Sequence, residues 1–405
     1  MSQDNYESLD NDQEEKMRKR QEERKKRREE KRKQEQQRNK IILGVIAGLI
    51  ILFFIFGISS CASSCSSGGA ENNKDTQPPT AQPTQPPTQP PTEPPTSPPI
   101  KDNGEDGYLT EQGVYVWDNK GFELFYGDEE MAKTYANAVS HYRGQLDSSI
   151  NVYNMVVPTH IAFGLPDRLE ATVGSYSQPD YINNIYNNIT ADVKTVNVTD
   201  SLENHKTEYC YFNTDHHWTA LGAYYAYKDF CKTAGETAVN IDNISANSVQ
   251  GFVGSLYTAT GLEVLQNNPD TVSYYEMPVS YSAQLMQSGS NELEDIYSMY
   301  YEAATAGSNT YGVYIWGDNP VTKIVNTEGK NGKKILVVKD SFGNALVPWL
   351  VNNYDQVHAI DFRYYDGNVA GYCSENGITD VLILNGVMSS ANGFQIDNMS
   401  SVFGG

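Results

Sequence analysis

Apolar positions divide the chain into four stretches. The first forty residues carry no apolar stripe. Ile41 to Ile58 is an unbroken, uncharged apolar run. Ser66 to Asp106 is polar and rich in proline. From Gly107 onward, apolar residues recur at the periods of strands and helices.

The apolar run is long enough as a helix, at about 1.5 Å rise per residue, to just cross a hydrocarbon core of about 30 Å. We expect a transmembrane helix within 41–60. Lysine and arginine are dense before the run and absent immediately after it, which orients the N-terminus to the cytoplasm. Residues 1–40 are then a charged cytoplasmic tail, acidic and polar at first, then a solvated helix or charged coil from Lys16. Everything from Ser59 on is then outside. Ile58-Ser59-Ser60-Cys61 loosely resembles a bacterial lipobox, but the charged stretch before it is far longer than a usual signal n-region. An uncleaved anchor is therefore favoured over a lipid on Cys61.

Residues 61–106 read as an extracellular linker. Gln77 to Pro99 repeats Gln-Pro-Pro-Thr and Glu-Pro-Pro-Thr. Such a sequence builds no core and favours polyproline II, a semi-rigid stalk reaching up to about 70 Å.

Residues 107–405 form the globular part. The pattern predicts strands at Gly113–Trp117, Ile150–Val157 and Val193–Val198, and helices over Glu129–Leu146, Tyr181–Ile189 and Trp218–Thr233. Ser245 to Asn331 has no clear period and reads as an excursion from the sheet. The alternation then returns. Lys334–Lys339 is a strand apolar on both faces, and Leu346–Val351 is the core of a helix with Pro348 placed in its first turn. Strands at Gln356–Asp361 and Thr379–Leu384 follow. Alternating strands and helices predict an α/β domain with a mostly parallel sheet.

Charge narrows the function classes. The chain carries 30 Lys/Arg and 51 Asp/Glu, of which the first forty residues hold 14 and 11. The remainder holds 16 and 40, a net charge of -24, and an acidic domain of this kind repels nucleic acid. Five cysteines show no CxxC spacing, which leaves zinc ribbons and redox motifs unsupported. Cys210 and Cys231 could pair in an oxidising compartment, or serve with Cys373 as small buried apolar groups.

Two stretches carry candidate chemistry. Ser341 follows a doubly apolar strand, where ligands of open α/β sheets bind, and a helix starting just after it would aim free N–H groups at an oxyanion. Asp340 or Ser341 could equally cap that helix. Asp215 and His217 precede the helix near Trp218 and offer an acid–base pair, although Asp215 could also be an N-cap. Asp215, His216 and His217 are all metal-ligand types, but no second ligand cluster accompanies them, so no metal is expected. No nucleotide or nicotinamide motif appears, so no soluble cofactor is implied.

Thr214-Asp215-His216-His217-Trp218-Thr219 together with Lys339-Asp340-Ser341-Phe342 resembles the signature of the bacterial DHHW family. That family belongs with the alginate O-acetyltransferase-like branch of the SGNH hydrolase fold. Val157-Pro158-Thr159, Gly254-Ser255-Leu256-Tyr257 and Ile360-Asp361-Phe362-Arg363-Tyr364-Tyr365 support the likeness, which spans roughly Val114 to Gly386. It implies a flavodoxin-like, mostly parallel sheet with helices on both faces. It implies Ser341 as nucleophile, His217 as base and Asp215 as its orienter. Asn385 matches the block that helps form an oxyanion hole, while Asn344 or Arg363 could line that hole or grip substrate. His216 is left a role in packing or in supporting the groups around the site. Lys-Asp-Ser stands where many SGNH members have Gly-Asp-Ser, which bears on the backbone geometry.

The resemblance implies transfer of acetyl groups to an extracellular polysaccharide, fed by an acetyl-exporting membrane acyltransferase. With water as acceptor the same residues make an esterase. With no catalysis, the 28 tyrosines would suit a glycan-binding or scaffold module.

Overall fold

The computed structural model describes residues 98–304 and 309–404. The charged tail, the run Ile41–Ile58 and the Pro-Thr repeat up to residue 97 lie outside the described residues. Among those described, no helix is long and apolar enough to cross a membrane.

The chain folds around one eight-stranded sheet. Its strands are β4 (Asn151–Val157), β5 (Lys194–Thr195), β8 (Tyr281–Met286), β9 (Leu293–Ile296), β10 (Val321–Asn326), β11 (Lys334–Lys339), β12 (Gln356–Asp361) and β13 (Asp380–Gly386), in the spatial order β5-β4-β13-β11-β12-β10-β8-β9. The first five in that order are parallel. The last three join antiparallel. The fold is therefore mixed α/β. A β1-β2-β3 sheet (Tyr108–Leu109, Val114–Trp117, Lys120–Glu123) and a β6-β7 pair (Ala246–Phe252, Asp270–Tyr275) lie outside the main sheet.

The central strands read as continuous apolar runs because both faces are covered. Ile335 and Val337 of β11 pack into one core with the helices Ala220–Ala234 and Gly343–Leu350. Leu336 and Val338 pack into the other with Glu129–Gln145, Gln178–Asn188 and Gly393–Phe403. The period of two along the strand assigns each side chain to its core.

Three expectations need correction. The stretch Ser245–Asn331 is not wholly an excursion, since β8, β9 and β10 extend the main sheet. β8 and β9 are half-exposed, and β10 breaks its apolar residues with Thr322 and Lys323, so none has the apolar run that marks the interior strands. Pro348 sits sixth in the helix Gly343–Leu350, beyond its first turn. There its missing N–H forgoes the bond to the Asn344 carbonyl, and burial of all eight residues sustains the helix. The strand expected over Val193–Val198 shrinks to the two residues of β5.

Residues 102–106, the last of the expected linker, are tied to the globular part. Arg168 donates to Asp102 and Asp106 and to the Glu105 carbonyl. The three described cysteines, Cys210, Cys231 and Cys373, are free thiols in buried positions.

Candidate active site

β11 is flanked on both sides by parallel partners, and its carboxyl end turns sharply at Asp340. The Asp340 carboxylate fixes that turn. Oδ1 accepts the Phe342 N–H at 3.0 Å, and Oδ2 accepts the Gly386 N–H at the end of β13 at 2.8 Å. Asp340 is thus a strut between adjacent strands. Gly343 follows because a Cβ there would lie 2.5 Å from the Lys339 side chain. Ser341 is left at the mouth of the turn, just before the helix Gly343–Leu350. Among the described residues its backbone N–H has no acceptor.

The second stretch arrives from Thr214 to Thr219. Thr219, not Asp215, caps the helix Ala220–Ala234 by accepting the Gly222 N–H. Asp215 is therefore free for other work. Buried Asp270 holds the segment by accepting from the N–H groups of Asn213 and Thr214 and from the Thr214 hydroxyl.

The two stretches meet. His217 Nε2 lies 2.7 Å from Ser341 Oγ, and His217 Nδ1 lies 2.6 Å from Asp215 Oδ1. A carboxylate only accepts, so Nδ1 carries the proton and Nε2 presents its lone pair to the hydroxyl. Asp215 also accepts the N–H groups of His217 (2.9 Å) and Ser255 (2.8 Å). Burial pushes its carboxyl up, but the His217 ring outweighs this, with help from His216 and the Ser255 N–H. The group is held well below the usual range, ionised and able to stabilise an imidazolium beside it.

The His217 ring is clamped between two others. Tyr311 stacks on it at 4.0 Å between centroids and 8° between planes, and its hydroxyl donates to the Ser341 carbonyl at 3.1 Å. His216 covers the other side at 3.8 Å. His216 Nδ1 is 2.5 Å from the Ser255 hydroxyl. Burial, then the neighbouring His217, push the His216 pKa down.

A cleft of about 620 Å³ opens over this group, and Asn344 and Arg363 line it with Asp318. Arg363 is held by Asp361 through Nε at 2.8 Å and Nη2 at 2.6 Å, and by Asp318 at 2.9 Å. Buried Lys339 pairs with Asp361 at 3.2 Å and lies 3.7 Å from Asp318. Burial raises the Asp318 pKa, but Lys339 and Arg363 outweigh it and bring it to about 2.

Asn385, expected at an oxyanion hole, is elsewhere. It does not line the cleft. Its Oδ1 accepts the Tyr135 hydroxyl at 2.7 Å on the far side of the sheet. Two positions along β13, Ile383 belongs to the same far core, so alternation sends Asn385 away from Ser341. Asp215, His216 and His217 also place ligand-type atoms within 4.8 Å of one another. Both ring nitrogens of His217 and both carboxylate oxygens of Asp215 are already engaged, so a cation there would displace part of that set.

Sequence reasoning missed Tyr311, Asp318, Asp270 and the part played by Ser255. Only Gly254-Ser255 left a trace, as a supporting piece of the resemblance. A Cβ on Gly254 would lie 2.3 Å from the Asp215 Cβ, so glycine is what lets Ser255 reach the carboxylate.

A carboxylate, an imidazole and a serine hydroxyl in line form the kind of site at which a serine can be made nucleophilic. Residues 103–360 match the family model described as DHHW protein, and the chain belongs to the DHHW family. A DHHW family protein from Eubacterium siraeum DSM 15702 is 33% identical in sequence, with 73% of this chain and 97% of that one covered and a TM-score of 0.66. PatB1 of Bacillus cereus, in a structure with a sulfonyl adduct, is 20% identical over 72% of this chain and 99% of that one, with a TM-score of 0.58. It shares the fold. Among curated protein sequences none matches.

Proposed function

We propose that this chain is a membrane-anchored, extracellular O-acetyltransferase of SGNH type acting on a cell-surface polysaccharide. The observation that carries the reading is the line from Ser341 Oγ through His217 to Asp215, with both contacts at 2.7 Å or less. A glycan-binding module needs no such alignment.

In the first half-reaction His217 Nε2 takes the Ser341 proton as Oγ attacks the donor's acetyl carbonyl. The Ser341 N–H is available to the oxyanion, and one such donor is worth roughly 10²–10³ in rate. The donor's leaving group departs with the proton from His217, leaving an acetyl-serine. In the second, His217 takes the proton of an acceptor hydroxyl. The hydroxyl oxygen bonds to the acetyl carbon, the Oγ–carbon bond breaks, and the proton returns to Oγ.

The run Ile41–Ile58, with basic residues before it, supports an anchor with the domain outside. Acetyl-CoA is absent there, so a membrane acyltransferase that exports acetyl groups is the proposed donor partner. The cleft is open to solvent, which keeps water a competing acceptor and an esterase as the second reading.

The test uses the full chain. A sulfonyl fluoride should add one sulfonyl group at Ser341, read by mass spectrometry, and Ser341→Ala should abolish acetylation of the surface polymer. Acetylation unchanged in Ser341→Ala rejects the proposal. Hydrolysis of an acetyl ester indifferent to added glycan favours the esterase.

A further inference from the structure

The reaction puts a positive charge on one ring. Each time His217 takes a proton, from Ser341 or from the acceptor hydroxyl, its imidazole becomes an imidazolium. Asp215 meets that charge at Nδ1. The two faces of the ring are met by other residues. Tyr311 lies flat on one, at 4.0 Å between centroids and 8° between planes. His216 covers the other at 3.8 Å, tilted by 36°.

Several contacts hold Tyr311 in place. Its hydroxyl donates to the Ser341 carbonyl at 3.1 Å, which ties the ring to the nucleophile's own residue. Burial pushes that hydroxyl well above its ordinary range, so it stays protonated and able to donate. The rings of Phe212 and Tyr314 meet it at 89° and 75°, with centroids 6.1 Å and 5.3 Å away. Tyr311 and His217 are both buried, so little water screens one from the other.

An aromatic ring has a negative face, which attracts a cation far more than a neutral imidazole. The stack is therefore stronger when His217 is charged than when it is not. An interaction of that kind raises turnover and leaves substrate affinity alone. In a desolvated site it is worth up to about thirty-fold in rate. The phenol hydroxyl matters less, because the Ser341 carbonyl also accepts the Asn344 N–H at 3.2 Å and stays paired without it.

We propose that Tyr311 is a positioning residue whose ring face stabilises the charge on His217 in both half-reactions. This rests on the reading of Ser341, His217 and Asp215 as one catalytic group, and it holds whether the acceptor is a sugar or water.

The measurements are the rate of Ser341 sulfonylation, which also charges His217, and turnover of p-nitrophenyl acetate, both on the full chain. Tyr311→Phe keeps the ring face and should stay within about three-fold of wild type. Tyr311→Leu removes the face and should lower kcat and kcat/KM together by about ten- to thirty-fold, with KM unchanged. The decisive readout is a series of phenylalanines at position 311 with increasing numbers of ring fluorines. Fluorine drains the negative face at nearly constant shape, so both rates should fall steadily along the series at constant melting temperature. A residue that only fills space would leave them level. Level rates along the series, or Tyr311→Leu as fast as wild type, overturn the assignment. If Ser341 resists sulfonylation in wild type, the catalytic reading beneath it fails instead.

Discussion

The indole Nε1–H of Trp218 donates to the backbone carbonyl of Phe342 at 2.9 Å. This bond joins the two stretches one residue beyond His217 on one side and one beyond Ser341 on the other. The Asp-His-His-Trp run therefore supplies both the imidazole and the clamp that holds its partner turn.

Trp218→Phe keeps most of the buried ring and removes the donor. The Phe342 carbonyl would be left unpaired in the core, so stability should fall by about 1–3 kcal/mol. Sulfonylation of Ser341 should slow as well. Urea unfolding and labelling rates check the two effects, and a variant as stable and as reactive as wild type would show the clamp to be idle.

Gly254→Ala should disable the site without touching a reacting group. The added Cβ would meet Asp215 at 2.3–2.4 Å, displacing the carboxylate or the Ser255 N–H that binds it. A shift near 1 Å can cost on the order of 10²-fold in rate. Acetyl-ester turnover at unchanged melting temperature is the readout.

Asp215→Asn leaves the shape and removes the charge. The amide can offer a donor to Nδ1 and favour the wrong tautomer, so turnover should fall on the order of 10⁴-fold. A loss under ten-fold would mean that His217 is oriented by its two stacking rings alone.

His358 gives the fold a pH dependence away from the cleft. It is fully buried on β12, with Nδ1 2.7 Å from the Tyr372 hydroxyl and Nε2 3.1 Å from Gln356 Oε1. Burial, and then Lys323 and Lys334, lower its pKa to about 3. The unfolded chain binds a proton there near the ordinary value of 6.5 while the folded chain does not. Stability is therefore lost as pH falls from about 6.5 toward 3, with a slope of up to about 1.4 kcal/mol per pH unit. In His358→Phe that contribution to the slope should vanish, which urea midpoints at pH 5 and pH 7 would reveal.

Some of this was legible in the chain. β11, the turn at Ser341 and the helix after it could be read because a strand buried on both faces is an unbroken apolar run. The pairing of Asp215 with His217 was readable because both lie in one short segment. Asn344 and Arg363 are legible as cleft residues, although their pairing with Asp318 is not. Asn385 could not be placed, because the face of a strand residue depends on register against its neighbours. Tyr311 and Asp318 lie in a stretch whose strands carry no unbroken apolar run.

By itself the sequence determined where the apolar runs lie, which segments form the central strands and helices, and which residues have nucleophilic, basic and acidic chemistry. Only the tertiary structure decided that His217 meets Ser341, that Tyr311 stacks beside them, and that Asn385 faces the opposite core. The reason is physical. Local periodicity depends on neighbours a few residues away, while the separation of 124 positions from His217 to Ser341 is bridged by strand order and packing, which no local pattern encodes.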